Sequence, residues 1–314
     1  MCIVTYQARS FLRDCLSSVY QNTAISFEVI VVDNNSSDGT AEMLSKEYPQ
    51  VQYLANQRNE GFTRPMNQAL RRARGRYLLQ LNPDTLILPN AIDKLVEFMG
   101  THAEVGICGP KVLNSDLTMQ KQCRRGDSRP WAVITYFSGL AARFPKSKFF
   151  GQYLMSYIDE NLTHPVSGVS GSCMLIRREV IDQIGYLDER YFAWQEDADY
   201  CLTARTAGWQ VYYVPEVQII HYGGMGGSRV EPYRSLLAWH RSYFLYYRKH
   251  FARDYFFLFN WIYYLAMFIK LLFSLLVSVI QKETFVTTPV SPTVWKAPSS
   301  TNPARDEGEP TANS

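Results

Sequence analysis

Tyr77-Leu78-Leu79-Gln80-Leu81-Asn82-Pro83-Asp84-Thr85 joins an apolar run of β-strand length to an abrupt polar stop. Proline cannot donate to a sheet ladder, so the strand ends there and Asn82 and Asp84 are held where it exits. In open α/β sheets ligands bind outside the carboxyl ends of the strands. A carboxylate and an amide oxygen in that place suit a hard divalent cation that keeps waters and takes its other oxygens from a substrate phosphate. Asn-Pro-Asp is also a good turn in its own right. The tripeptide alone does not separate the two readings.

The flanking chain supplies the context. Upstream, Cys2-Ile3-Val4-Thr5-Tyr6 reads as a buried strand, and the chain opens almost inside it, as a short or truncated first strand would. Ser10 stands where it could cap a helix whose apolar positions Leu12, Cys15, Leu16 and Val19 repeat at helical spacing. Phe27–Val32 is a second, β-branched strand running into the polar turn Asp33-Asn34-Asn35-Ser36-Ser37-Asp38-Gly39-Thr40, and Val51–Leu54 is a third. Downstream of Asp84, Ile92, Leu95, Val96 and Met99 form a helical stripe and Val105–Gly109 a further strand. Strands alternating with helices imply right-handed crossovers and a mostly parallel, Rossmann-like sheet.

Residues 114–165 mix basic, proline and aromatic residues and read as a specificity insert. A strand through Val169–Ile176 follows, with small residues Gly171 and Ser172 near its start. Trp194-Gln195 leads to Glu196-Asp197-Ala198-Asp199 at the head of a helix that ends at Gly208, where an αL cap belongs. Trp209–Val214 and Val217–Ile220 read as two strands, the second ending in His221.

Bulk numbers bound the class. The 314 residues favour one large domain or two small ones; 46% are apolar and 19% charged, enough to bury a core. A net charge of +3 is too small to argue for a nucleic-acid partner. The 6 cysteines show no Cys-x-x-Cys pairing and sit among apolar neighbours, and no signal peptide opens the chain, which points to reduced thiols in a cytoplasmic setting.

The last quarter changes character. Arg248, Lys249, His250 and Arg253 form a basic cluster before Tyr255–Ile280, an apolar stretch long enough to cross a bilayer but interrupted by Lys270. It reads as a spanning, an in-plane or a re-entrant membrane segment, with a buried helix pair as the alternative. From Thr284 onward the chain is rich in Pro, Thr and Ser and reads as a disordered tail. The organisation expected is therefore a sheet domain over 1–225, with halves 1–110 and 111–225, a basic and aromatic helical segment over 226–282, and a tail over 283–314.

Asp33, Asn82 with Asp84, Glu196 with Asp197, and His221 all stand at strand exits or helix starts. Each has an ordinary explanation: a turn cap, an acidic first turn favoured by the helix dipole, a satisfied core histidine. Their succession along one α/β sheet favours a common site.

These segments make the chain recognisable. Val4-Thr5-Tyr6, Val31 through Thr40, Asn59-Glu60-Gly61-Phe62, Leu81 through Thr85, Gly171-Ser172 and Phe192 through Gly208 resemble the family 2 glycosyltransferases, in their rhamnosyltransferase-like branch. The resemblance covers roughly 2–225; Gln7 stands where the family usually has Asn. It implies a GT-A-type fold and inverting transfer from a nucleotide-diphospho-sugar, best guessed as dTDP-rhamnose. Thr5, Tyr6, Asp33, Asn35, Asn59 and Gly61 would then line the nucleotide-sugar pocket. Asn82 and Asp84 would occupy the Asp-x-Asp position, with Asp84 and His221 as ligands of Mg²⁺ or Mn²⁺. Asp197 would be the base that takes the acceptor hydroxyl's proton, with Glu196 and Asp199 as alternates. Gly171, Ser172, Trp194 and Glu196 would form the acceptor side.

On this reading the membrane segment brings the enzyme to a lipid-linked saccharide acceptor at the cytoplasmic face of the cell membrane, peripherally or by a single pass, and the basic cluster meets anionic lipid. A dinucleotide-dependent enzyme is disfavoured because no Gly-x-Gly-x-x-Gly follows the first strand. The same fold using a UDP- or GDP-sugar, and a non-catalytic nucleotide-sugar-binding relative, remain as alternatives.

Overall fold

The computed structural model describes residues 1–225 and 227–280; the tail expected over 283–314 lies outside the described residues. Strands β1 (Cys2–Thr5), β2 (Ile30–Asp33), β3 (Gln52–Ala55) and β4 (Tyr77–Leu81) alternate with helices α1 (Arg9–Asn22), α2 (Thr40–Glu47) and α3 (Thr63–Arg72). They pair in parallel in the order β3-β2-β1-β4. All of β1 and β2 is buried, as continuous β-branched and apolar runs require in a sheet covered on both faces.

Beyond β4 the sheet becomes mixed. After β5 (Thr85–Ile87) and α4 (Ala91–Thr101), β6 (Val105–Leu113) begins the second half of the sheet. The insert carries β7 (Arg124–Arg125), α5 (Pro130–Phe137), α6 (Leu140–Arg143), β8 (His164–Pro165) and β9 (Gly168–Val169). Then come β10 (Cys173–Arg177), α7 (Arg178–Ile184), α8 (Glu196–Thr206) and β11 (Gln210–His221). The order continues β4-β10-β6-β11-β5, with β10 antiparallel to both of its neighbours and β11 parallel to β6.

Three local expectations change. The head of α1 is not capped by Ser10: Asp38 Oδ2, from the turn before α2, accepts the Arg9 amide at 2.8 Å, so the cap comes from a neighbouring loop. The run Val169–Ile176 is broken, because β9 ends at Val169 and β10 starts at Cys173, leaving Ser170-Gly171-Ser172 as a turn. Trp209–Val214 and Val217–Ile220 are one strand, β11, whose register with β6 slips between Val214 and Gln218. The expected stripe Leu12, Cys15, Leu16 and Val19 is buried, Gly208 adopts φ +99° after α8, and all six cysteines are buried free thiols.

The chain ends its described part in α9 (Gly227–Val230), α10 (Pro232–His250) and α11 (Phe257–Ile280). Tyr246, Tyr247 and Phe251 of the α10 end pack with Tyr191, Ala198 of α8 and Tyr263 of α11 into a second, aromatic core. Here the basic cluster departs from its expected role. Lys249 Nζ bonds Asp188 and Asp199 at 3.0 and 2.8 Å, and His250 Nε2 lies 2.6 Å from Asp199 Oδ1. Asp199 is buried, and an unpaired charge there would be costly. Two of the four basic groups therefore fasten α10 to α8, while Arg248, Lys249 and Arg253 are exposed.

Helix α11 has 24 residues and is long and apolar enough to cross a membrane by length and composition. Its faces differ. Tyr263 is buried, and Tyr264 packs on Phe244 at 5.0 Å between ring centroids, whereas Trp261, Leu265, Phe268, Leu272, Leu276 and Val279 are exposed along the other side.

Candidate active site

Two acid groups face one cleft of about 580 Å³ at the carboxyl ends of the strands. The first is built where β5 pairs antiparallel with β11, setting His221 opposite Thr85 and so beside Asp84. Asp84 Oδ1 lies 3.2 Å from His221 Nε2, and its Oδ2 accepts the Met225 amide at 3.2 Å. Burial opposes ionisation of Asp84, but the His221 contacts and that amide outweigh it and hold the carboxyl below its ordinary range. Asn82 Nδ2 reaches the same Nε2 at 3.2 Å, while the Asn82 amide is fixed by Ser172 O at 2.9 Å.

The other ring nitrogen of His221 decides what this corner suits. Nδ1 lies 3.0 Å from Gln120 Oε1, an acceptor only, and Gln120 Nε2 donates to the His221 carbonyl at 2.7 Å. Gln120 Oε1 thus accepts from Nδ1–H, so in the neutral ring the Nε2 lone pair faces Asp84. The Nε2 lone pair and the Asp84 carboxylate oxygen 3.2 Å away are two electron-pair donors that a divalent cation would take; without one, Asn82 Nδ2 or a proton on Nε2 meets the lone pair. No group of three or more His, Cys, Asp or Glu side chains that could hold a metal ion is present among the described residues. Asp84 and His221 together would fit a divalent ion only if oxygens of a ligand and water supplied its remaining contacts.

The second group opens α8. Trp194 and Gln195 both sit at φ +63°, a left-handed pair that turns the chain sharply into the helix. Arg125 from β7 donates to Asp197 Oδ2 at 2.6 Å, Gly171 N–H donates to the same oxygen at 2.8 Å, and the Ala198 amide donates to Oδ1 at 2.7 Å. Burial disfavours the Arg125 charge, yet Asp197 beside it outweighs burial and raises its pKa. Glu196 is buried as well, and its Oε2 has no partner among the described residues. Burial first, and then the charge of Asp197, push the Glu196 carboxyl above its ordinary range.

Gly171 and Ser172 adjoin this corner and line the cleft. A Cβ at Gly171 would strike Gln80 Nε2 and press on Asp197, so the glycine leaves room for these two side chains. Ser172 is buried, with its hydroxyl 3.0 Å from Ser170 Oγ.

The nucleotide-side residues divide. Thr5, Tyr6, Asn59 and Gly61 line the cleft, and the buried Thr5 Oγ1 has no partner among the described residues. Gly61 adopts φ +89° and lies so close to the Phe192 carbonyl that a Cβ would clash with it. Asp33 is 2% exposed and already accepts from Tyr53 Oη at 3.0 Å and the Ser36 amide at 2.9 Å, behind the cleft wall rather than in it. Asn35 is exposed in the turn at φ +71°; its neighbour Asn34 lines the cleft instead.

Residues 1–185 match the family described as Glycosyl transferase family 2. The chain belongs to that family. It is a glycosyltransferase. It is similar to the N-acetylglucosaminyl-diphospho-decaprenol L-rhamnosyltransferase of Mycobacterium tuberculosis, 27% identical over 254 residues that cover 77% of this chain and 81% of that one. It is also 25% identical to the low-salt glycan biosynthesis hexosyltransferase Agl10 of Haloferax volcanii, over 73% of this chain and 68% of that one. Among solved structures it resembles the mannosyltransferase PcManGT of Pyrobaculum calidifontis in complex with GDP-Man and Mn²⁺. That likeness has a TM-score of 0.53 at 16% identity and covers 79% of this chain and 63% of that one. GalNAc-T7 with UDP, GalNAc and Mn²⁺ matches at a TM-score of 0.51 and 16% identity, over 70% of this chain and 43% of that one. The fold is GT-A, a mostly parallel mixed sheet.

Several residues of this glycosyltransferase's cleft carry no signal in the sequence. Arg125 lies in the insert, and nothing in its spacing marks it as the partner of an acid 72 positions away. Gln120, which backs His221 without lining the cleft, is equally silent. Glu231 accepts from Tyr6 Oη at 2.9 Å and pairs with Arg234 at 2.9 Å, closing the nucleotide side from beyond the expected domain edge at 225. Tyr153 and Tyr243, hydroxyls 3.0 Å apart, and Trp239 wall the opposite end with Trp194.

Proposed function

We propose that the chain transfers a sugar, best read as L-rhamnose from dTDP-rhamnose, to a lipid-linked saccharide at the cytoplasmic face of a membrane, with inversion and with a divalent metal. The observation that carries this reading is the placement of two acid groups on one cleft. Asp84 with His221 stands at one end, and Asp197 with Glu196 beyond Ser172. The similarity to a rhamnosyltransferase named for a diphospho-decaprenol acceptor supports the choice of sugar and acceptor.

Asp84 and His221 would hold the metal, Mg²⁺ or Mn²⁺, which when bound supplies positive charge against the donor diphosphate. The residues of the chain do the rest. Thr5, Tyr6, Asn34 and Asn59 receive the nucleotide. Asp197 is the base: Arg125 and Gly171 N–H fix Oδ2, so Oδ1 is held in one direction and takes the acceptor proton in concert with attack. What these donors supply to the proton transfer is the alignment of Oδ1.

A second reading of the proton acceptor has its own observation. Glu196 Oε2 is buried, faces no donor among the described residues and belongs to a carboxyl whose proton affinity is raised. Paired substitutions separate the two. Asp197→Asn abolishing transfer while Glu196→Gln leaves most of it supports Asp197; the reverse pattern reassigns the step to Glu196.

The exposed apolar side of α11 supports docking in the plane of the membrane, with the inner side of the helix packed on the catalytic domain. The reading as a whole is tested by supplying the full-length protein with Mn²⁺ and single nucleotide-sugars beside a prenyl-diphosphate-linked N-acetylglucosamine. Transfer from one donor, abolished by chelator, supports it. Transfer undiminished by chelator removes the metal, and no transfer from any donor removes the enzyme reading.

A further inference from the structure

Lys270 is the only charged residue of α11 and stands on the inner face of that helix. Its Nζ lies 4.1 Å from the ring centroid of Trp239 and 4.7 Å from that of Phe137. No carboxylate pairs with it among the described residues, whereas Lys249, one helix earlier, has two. A half-buried ammonium resting only on aromatic faces has given up part of its hydration without a counter-charge.

The lysine lines a groove of about 310 Å³. Trp194, Ser235 and Trp239 are shared with the catalytic cleft, so the groove continues from the acceptor end of that cleft toward α11. His240 lines it too. It is 8% exposed, its Nδ1 is spent on the Leu236 carbonyl at 2.9 Å, and its Nε2 is buried without a partner among the described residues. Beyond the groove lies the outer stripe of α11, with Phe268, Leu272 and Leu276 exposed.

Polarity thus changes in a fixed order: a hydroxyl-rich cleft, a cationic seam, an apolar helix face. A saccharide joined through a diphosphate to an isoprenoid chain has the same order of groups. An uncharged glycolipid would leave Lys270 without a counter-ion. From this match we infer that the groove at Lys270 is the subsite for the diphosphate of a prenyl-linked acceptor, the prenyl chain leaving over the exposed face of α11. The inference rests on the lipid-linked acceptor proposed above and adds the place where its charge is read.

The test is equilibrium binding of labelled geranylgeranyl diphosphate to the full-length protein in uncharged detergent micelles. Chelator is present, so that Asp84 and His221 cannot hold the diphosphate through a metal. Wild type is expected to bind it more tightly than geranylgeraniol. Lys270→Met should weaken diphosphate binding about tenfold, the loss of one charge-assisted contact, while Lys270→Arg stays close to wild type. Geranylgeraniol binding should be the same in all three, which also shows that the variants are folded. Equal affinity of wild type and Lys270→Met overturns the subsite and leaves the lipid-linked acceptor standing. Phosphatidylglycerol competing as well as the diphosphate assigns Lys270 to ordinary headgroups and also overturns it. Absence of any binding to wild type overturns the subsite and the lipid-linked acceptor together.

Discussion

The guanidinium of Arg125 lies 2.6 Å from Oδ2 of Asp197, and each side chain is only 11% exposed. The pair joins the insert to the head of α8 across the cleft and gives Asp197 its orientation. Removing one member leaves a buried charge alone, which costs about 3–5 kcal/mol. Arg125→Met should therefore lose both stability and transfer. Combining it with Asp197→Asn should recover part of the stability and none of the transfer. Thermal unfolding and turnover of the two singles and the double measure this, and recovery of transfer in the double would remove Asp197 from the chemistry.

Glu196 makes a pH prediction. Its folded carboxyl is raised above the ordinary range by burial and by Asp197, so the stability it contributes is present at acid pH and lost as pH rises through its folded value. Glu196→Gln removes that loss. The melting temperature of the variant should match wild type near pH 4 and exceed it by about 2–5 °C near pH 9. A difference that stays constant across the range contradicts the raised carboxyl.

Asp84 titrates in the opposite sense. His221 and the Met225 amide hold its carboxyl low, so its contribution is present above the ordinary carboxylate range and fades as pH falls through its folded value. The melting temperature of Asp84→Asn should lie below wild type at pH 7 and converge with it in acid. Convergence on the alkaline side would reverse the assignment.

Gln120 acts on His221 alone. Gln120→Leu removes the acceptor that fixes the Nδ1 proton, and loss of such an outer-shell partner typically weakens metal binding about 10–100-fold. A titration of Mn²⁺ against nucleotide-diphosphate release should show a higher half-saturating concentration and a nearly unchanged rate at saturation. An unchanged half-saturation point would separate Gln120 from the metal.

The outer stripe of α11 predicts membrane attachment. Phe268→Ser, Leu272→Ser and Leu276→Ser together remove three exposed apolar groups, each worth about 1.5–3 kcal/mol when buried in an apolar phase. Co-sedimentation with phosphatidylglycerol vesicles should fall sharply while melting temperature holds. Unchanged sedimentation would move attachment elsewhere.

The alternation of strand and helix, and the ends of the strands, were legible because each depends on local sequence. Asn82-Pro83-Asp84 stops β4 whatever surrounds it, and the stripe of α1 buries the residues its spacing names. Cross-chain partners were not legible. The Asp38 cap of α1, the Arg125 partner of Asp197 and the Gln120 partner of His221 come from segments 29 to 101 positions away, and only the closed sheet brings them together. The basic run before Tyr255 shows the same limit. Its composition matched a lipid-facing patch, but tertiary packing placed Lys249 and His250 on buried Asp199. Asp33 was legible as a strand-end acid, and its two donors, Tyr53 and Ser36, were not.

Transfer itself is the most direct test of the central claim. Full-length protein, Mn²⁺, dTDP-rhamnose and a prenyl-diphosphate-linked N-acetylglucosamine would be combined, and the product examined for the anomeric configuration of the new bond. The account predicts a rhamnosylated lipid of inverted configuration, formed by wild type and lost with chelator and in Asp197→Asn. A product that retains the donor's configuration, or one formed equally well by Asp197→Asn, would contradict it.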